Sequence, residues 1–432
     1  MKSSMRVYKL FLFVIFYLLI NLLPLSGQNI VEKNGLLKVE GNRIVNKYNE
    51  IVSLAGNSFF WSNEGWGGNQ FYNSSVVNWL KDDWGSIIVR VAMGVEDYGG
   101  YLEKPEENLS TIKKVIDAAI EAGMYIIIDW HSHYAHLYTH DAVEFFKEMA
   151  YEYGMYDNII YEIYNEPKYI DQTAQNDGKF ATWQAHIKPY AETVIAEIRD
   201  IDPDNLIVVG TGEWSQKVDD AANDPIEGFS NIAYALHFYS VNHKQWLRNR
   251  ASDALSKGIA IMVTEWGPMG NSSDDPESDA WMQWCVDNKI SHCAWAVNDK
   301  DEPWSIVKPG SSKTGSWTPS DLTSAGIYEK NIIKNWMKTT SSSNRTNNEQ
   351  PVYFQLAPNP FTETLQIKTI NNSFEIHGCQ ILDLNGRSII EIDNLVFADS
   401  GYSLNIKSLD KGAYIIVLST NYGSISRLIA KQ

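Results

Sequence analysis

The sequence predicts an α/β fold, a (β/α)8 barrel of the TIM class, followed by a small all-β sandwich. Three observations carry that expectation. Eight short runs rich in Val, Ile and Tyr recur over about 310 residues. Between several of them lie helical-period stretches such as "LSTIKKVIDAAIEAG" and "AHIKPYAETVIAEIRDI". Composition then shifts once: all 15 Trp lie at or before Trp336, and none follows.

The elements are justified in chain order. Lys2, Arg6 and Lys9 precede an apolar stretch from Leu10 to Leu23 and then "PLSGQ". This is the pattern of a secretory signal cleaved before Gln28, too short for a comfortable membrane span, so residues 1–27 are set aside from the fold. "LLKVEGNRIVNKYN" reads as a hairpin turning at Gly41-Asn42 beneath the barrel floor. The strands follow as "IVSLAGN", "SIIVRVA", "MYIIIDW", "NIIYEIYN", "LIVVGT", "IAYALHF", "AIMVTEW" and "SHCAWAV". A doubly wound open sheet is the rival topology; eight units over 28–338 favour closure. "TTSSSNRTNNEQP", 339–351, has almost nothing to bury and reads as a linker. From 352 to 432 the pattern alternates with period two between Gly and Asn turns, as in a β-sandwich of about 80 residues.

The net charge of -17, without a basic cluster, argues against nucleic acid as a partner. A neutral or cationic substrate fits better. The chain also carries 23 Tyr, and flat rings with polar edges suit sugar faces, although most of them serve the core. Cys285, Cys293 and Cys379 are few for a secreted protein; Cys285 and Cys293 either bridge or remain buried thiols.

What ends each strand points to chemistry. Arg90 closes the second, His131 the third, Asn165-Glu166 the fourth, His237 and Tyr239 the sixth, Glu265-Trp266 the seventh and Trp295 the eighth. In a barrel these carboxyl ends converge on one face. Glu166, in "YEIYNEPKY", sits at the tip of an apolar run, where a lone carboxylate is costly, and Glu265 is its candidate partner across the mouth. Two facing carboxylates are what glycoside hydrolysis requires; the alternative is that each Glu merely pairs with a base such as Arg90. If Glu166 is the acid of the pair, its pKa should be raised by burial and by the negative Glu265. "HSHYAHLYTH" offers His131, His133, His136 and His140, but the loop is expected to be structural, with no metal and no cofactor. "DKDEPW" lacks calcium-ligand spacing. "SSDDPESDAW" reads as a helix start, and Trp281 and Trp284 as packing on the barrel.

The stretches "WLKDDWGSIIVRVAMG", "IIIDWHSH", "IIYEIYNEP", "ALHFYS", "VTEWG" and "AWAVNDKDE", all in order, resemble glycoside hydrolase family 5, and within it the bacterial endo-β-1,4-glucanases (cellulases). The resemblance covers nearly all of 28–338. It implies Glu166 as acid/base and Glu265 as nucleophile, with Arg90 and Tyr239 holding Glu265. It implies that Asn165 holds the sugar 2-hydroxyl, and that His131 and His237 line the subsite of the reacting sugar. Trp295 would be the stacking platform, and Lys300 and Glu302 would reach the next glucose. One departure stands out: "GNSFFWSNEGWGG" puts Phe60 where related cellulases carry a His, leaving stacking to Trp61 or Trp66.

The C-terminal stretches "PNPF", "LDLNGR" and "KGAYIIVL" resemble the sorting domain of type IX secretion substrates. A carbohydrate-binding module is the rival, but it needs exposed aromatic platforms, and 352–432 holds no Trp and only four Tyr. The expected protein is therefore a secreted or cell-surface monomer. It meets the type IX machinery through its tail and acts on a β-glucan polysaccharide or oligosaccharide. A β-mannanase, xyloglucanase or mixed-linkage glucanase competes within the family. A non-catalytic glycan-binding barrel competes outside it, and both glutamates with Arg90 speak against that reading.

Overall fold

The computed structural model describes residues 29–268, 275–342, 354–369, 376–383, 387–393, 402–420 and 423–432. The expected signal segment, most of the expected linker, the "LNG" of the tail's "LDLNGR" and the start of "SSDDPESDAW" lie outside them. The chain divides into two compact units, Met1–Asn344 and Arg345–Gln432.

In the first unit eight parallel strands close on themselves. They are β1 (Ala55–Phe59), β2 (Ile88–Gly94), β3 (Tyr125–His131), β4 (Ile159–Glu162), β5 (Leu206–Val209), β6 (Ile232–Tyr239), β7 (Ile261–Gly267) and β8 (His292–Val297). Each pairs with its successor and β8 returns to β1. Helices cover the outside, and local sequence explains their limits. Pro105–Ala122 starts with Pro at its first position and Glu106 and Glu107 in the first turn, where the N–H dipoles favour acids; it stops at Gly123, whose φ of 68° is left-handed.

The strands are apolar on both faces, and period-two alternation sorts them. Val89, Val91, Ile126, Ile128 and Trp130 pack outward against the helices. Ile88, Tyr125, Ile127, Ile160 and Met262 fill the lower interior. The hairpin of Lys38–Glu40 and Arg43–Val45, turning at Gly41, seals this end. Leu37 and Ile44 join the interior cluster, and the Tyr125 hydroxyl donates to the Gly35 carbonyl at 2.6 Å. Each such aliphatic side chain contributes roughly 1.5–3 kcal/mol.

Two residues further up, the interior changes from apolar to charged. Arg90 follows Ile88, Asp129 follows Ile127, Glu162 follows Ile160, Thr264 follows Met262 and His237 follows Ala235, all buried. Arg90 is thus the third residue of a seven-residue strand rather than its end, because the polar layer begins below the strand tips.

Two further expectations change or resolve. The helix Ser324–Ser342 runs four residues into the stretch read as linker. The Thr339 and Thr340 hydroxyls donate to the Asn335 and Trp336 carbonyls, so residues that look like linker polarity are satisfied by the helix itself. Cys285, Cys293 and Cys379 are free, buried thiols. Among the described residues no helix is long and apolar enough to cross a membrane.

The second unit is a sandwich of a three-stranded and a four-stranded antiparallel sheet. Leu365, Ile367 and Leu404 from one and Ile381, Ile416 and Leu418 from the other share its core.

Candidate active site

Arg90 organises the charged layer. Its guanidinium has five N–H donors, and five partners take them. Nε reaches Glu162 at 2.6 Å; Nη1 reaches Glu265 at 3.0 Å and Ser58 at 3.3 Å; Nη2 reaches Asn165 Oδ1 at 2.7 Å and Asp129 at 2.9 Å. One cation therefore faces three carboxyl groups away from water, an arrangement that holds only while all partners are present.

Glu265 reaches this layer through a bulge. Between Ala235 and His237 of β6 one residue intervenes, whereas β7 runs from Met262 to Glu265 over the same interval. The extra residue re-aims the strand, so the consecutive Thr264 and Glu265 both enter the interior. Arg90 holds one Glu265 oxygen, and the Tyr239 hydroxyl donates to the other at 2.6 Å. Burial raises the Glu265 pKa above its ordinary value, and the Arg90 and His237 charges only partly offset this.

Glu166 lies between two imidazoles. Oε1 is 3.0 Å from His237 Nδ1 and Oε2 is 3.4 Å from His133 Nε2. Burial pushes its carboxyl up, but the contacts from His133 and His237 outweigh burial and hold it well below the usual carboxylate range. This reverses the expected upward shift: two imidazoles face Glu166 at hydrogen-bonding range, closer influences than the repelling Glu265. One Glu166 oxygen and one Glu265 oxygen lie within 4.8 Å of each other.

The His237 tautomer follows from its other partner. Thr264 Oγ1 donates its one proton to Glu162 at 2.6 Å, so it accepts from His237 Nε2 at 2.9 Å. Nε2 therefore carries a proton, and a second proton is shared between Nδ1 and Glu166. Burial lowers the His237 pKa, but Glu265, Glu162 and Glu166 together raise it to about 9. His131 instead touches Asp129 through Nδ1 at 2.6 Å, and burial, with the nearby cations, pushes its pKa well below the ordinary imidazole value.

The aromatic wall continues outward. Trp295 stacks on His131 with ring centroids 5.2 Å apart and packs on Phe60 at 5.3 Å. Trp61 edges His131 at 4.2 Å and lies 6.4 Å from Trp66. Lys300 Nζ sits 4.5 Å over Phe60 and 4.9 Å over Trp66, and 3.8 Å from Glu302. Phe60 therefore gives Lys300 a cation–π seat in place of a polar contact.

All twelve residues named from the sequence thus belong to one connected surface, with Lys300, Glu302 and Trp66 at its rim. His136 does not join it: its ring nitrogens contact Tyr164 and the Ile170 carbonyl. Asp129, Glu162 and Thr264 were missed, hidden inside runs read as apolar; polar residues two positions beyond an inward Ile or Met were the available signal. Trp214 was missed too. Glu213, Trp214 and Ser215 all have left-handed φ, at 52°, 59° and 55°. The Trp214 N–H donates to the Pro167 carbonyl and Ser215 Oγ to the Asn165 carbonyl, which ties this loop to the Glu166 segment.

Known proteins resemble this chain in sequence and in fold. Residues 45–301 match the model of cellulase (glycosyl hydrolase family 5), and 355–432 that of a secretion system C-terminal sorting domain. The chain is 49% identical to Endoglucanase Z of Dickeya dadantii over 69% of its own length and 66% of that protein, about two thirds of the relative. It is 40% identical to an endoglucanase of Clostridium saccharobutylicum over 79% of this chain and 74% of the other. A solved structure from Cytophaga hutchinsonii superposes with TM-score 0.66 at 45% identity, covering 74% of this chain and all of that one. The catalytic domain of a Thermobifida fusca endoglucanase superposes at 0.63 with 28% identity, covering 70% and 99%.

Proposed function

The chain belongs to glycoside hydrolase family 5, and from that membership we propose that it is a secreted, retaining endoglucanase (a cellulase). It cleaves internal β-1,4-glucosidic bonds of cellulose and related β-glucans. The observation that carries this reading is the pair of buried carboxylates with oxygens within 4.8 Å and unlike surroundings. Retaining enzymes hold their carboxyl groups about 5–5.5 Å apart, whereas inverting enzymes leave 6.5–9.5 Å for a water.

The roles follow from the partners. Glu265, held on both oxygens, attacks the anomeric carbon. Arg90 and Tyr239 aim it, and the Arg90 charge stabilises the ionised form. Glu166 gives a proton to the departing glycosidic oxygen; that proton comes from the one shared with His237, and excluding water from the cleft favours its transfer to the carboxylate. A glycosyl–Glu265 ester forms and the leaving chain departs. Glu166, now ionised, takes a proton from water, whose oxygen attacks the same carbon and releases Glu265. Asn165 suits the 2-hydroxyl: Arg90 pins its Oδ1, leaving Nδ2 as the donor. Trp295, Trp61 and Trp66 offer ring faces to the sugar chain, with Lys300 and Glu302 beside them. No step calls on a metal or cofactor.

The C-terminal sandwich directs export through the type IX machinery, and the enzyme works outside the cell or at its surface as a monomer. Following the first product by proton NMR tests the mechanism: β-anomer first is expected, and an initial α-anomer overturns it. Reducing-end assays on carboxymethylcellulose, mannan and barley glucan side by side decide the substrate, with the cellulose derivative or the mixed-linkage glucan expected above mannan.

A further inference from the structure

Glu166 is gripped unequally by its two imidazoles. His237 is closed off from solvent, with Thr264 on one nitrogen and Glu166 on the other. His133 is different: its side chain is 26% exposed and approaches Glu166 Oε2 rather than Oε1. Since His237 occupies Oε1 from the interior, Oε2 is the oxygen that turns to the cleft, and His133 stands beside the oxygen that must meet the glycosidic bond.

The backbone around His133 is fixed. Its N–H donates to the buried carboxyl of Glu96 at 2.8 Å. Its carbonyl accepts from the Lys168 N–H and from the Tyr164 hydroxyl, each at 3.2 Å. The ring leans on Trp61, 5.4 Å between centroids. The peptides on both sides of His133 are thus anchored, one to the loop after β2 and the other to the segment after β4. They hold Nε2 at a set distance from the acid.

We infer that His133 is a positioning residue for the acid/base: it presents a donor to Glu166 Oε2, orients that oxygen, and makes Glu166 a stronger acid. The inference rests on Glu166 being the acid/base. A donor on the ionised carboxylate favours the ionised form, so the proton leaves more readily to a poor leaving group but is also lost at lower pH. Other groups act on the same carboxylate from every side: His237 and Tyr239 from β6, Glu265 from β7 and His243 beyond β6, with Glu96 and His131 acting on His133 itself. None of them reaches Oε2 within the distance that His133 does among the contacts of Glu166.

The test compares His133→Leu, which removes the donor, with His133→Gln, whose amide nitrogen replaces Nε2 without titrating. In the full chain, the alkaline limb of kcat/KM on cellotetraose should move up by about half to one pH unit in His133→Leu, with the acid limb in place and KM nearly unchanged. His133→Gln should stay close to the parent. On 2,4-dinitrophenyl cellobioside, whose leaving group needs no proton, His133→Leu should match the parent, while the rate on cellotetraose falls several-fold.

Glu166→Ala is run in parallel. If it fails to spare the first step on the activated substrate, read as the burst of dinitrophenolate, the acid/base assignment itself is wrong. If Glu166→Ala spares it but His133→Leu shows neither the limb shift nor the leaving-group dependence, the role of His133 is refuted. A His133→Leu protein that melts early is read against His133→Gln: equal losses in both on all substrates at all pH values mean a structural histidine, and overturn the inference.

Discussion

Replacing Arg90 by Lys keeps the charge and removes the fork, which makes it an informative perturbation of this site. Arginine offers five donors here to Glu162, Glu265, Ser58, Asn165 and Asp129. An ammonium has three, so at least two acceptors lose their partner inside a region from which water is excluded. An orphaned buried acceptor costs about 1–3 kcal/mol, more if charged, so two cost roughly 4 kcal/mol together. Some of that appears as lost stability. Some appears as a misplaced Glu265 or Asn165, and about 1.4 kcal/mol on the transition state is already a tenfold loss in rate. Urea unfolding followed by Trp fluorescence, with kcat/KM on carboxymethylcellulose, reads both. We expect destabilisation of several kcal/mol and a rate loss between about tenfold and a thousandfold. Ser58→Ala, which removes only the longest contact, serves as the mild control, at less than about 1 kcal/mol. Arg90→Lys unfolding within about 1 kcal/mol of the parent, at near-parental rate, would refute the view that the fork holds the layer together.

Glu166→Ala should retain the first step on an aryl cellobioside with an activated leaving group, and added azide should give the β-azide; an α-azide contradicts the retaining assignment. Activity should fall as pH rises through about 9, where the Glu166–His237 pair surrenders its shared proton, and should fall on the acid side above pH 4.5 as Glu265 protonates; a profile flat to well above pH 9 counts against the pair. Stability should follow the same histidine. Its folded pKa is raised from 6.5 to about 9, so its contribution is complete below 6.5 and disappears as pH climbs through 9, a change on the order of 3 kcal/mol measurable by denaturant melts. A chain truncated to 29–342 should hydrolyse soluble glucan at the full-length rate while export fails. Ending at 338 instead should lower the melting temperature, because it removes Thr340, whose carbonyl accepts from Lys289.

The barrel was legible because its evidence is redundant: eight apolar runs, each separately readable, repeat one unit. The facing pair of carboxyl groups was legible for a related reason, since Glu166 and Glu265 close the apolar part of their runs and stand out against the residues before them. Arg90's partners were not. Asp129 and Glu162 sit within "IIIDWH" and "IIYEIYN", and only knowledge of which residues face inward separates a buried carboxyl from a chance acid. That depends on closure, which no single strand reports. The direction of the Glu166 shift was lost because it is a balance of distances: burial and Glu265 push one way, two imidazoles at hydrogen-bonding range push harder the other way. The helix reaching Ser342 was hidden because Thr and Ser read as loop until their hydroxyls are seen bonded to the preceding turn.

The three consecutive left-handed residues Glu213, Trp214 and Ser215 bear on how this protein can be improved. Each costs about 1–2 kcal/mol relative to a right-handed residue, which glycine would not incur. A search for heat tolerance that screens only for folded protein will therefore be drawn to glycine at these positions. It would thereby remove or loosen Trp214, whose backbone N–H donates to the Pro167 carbonyl next to Glu166. Selection for durability and selection for turnover pull this loop in opposite directions, so variants gathered under one pressure alone should be re-ranked under the other before they are combined.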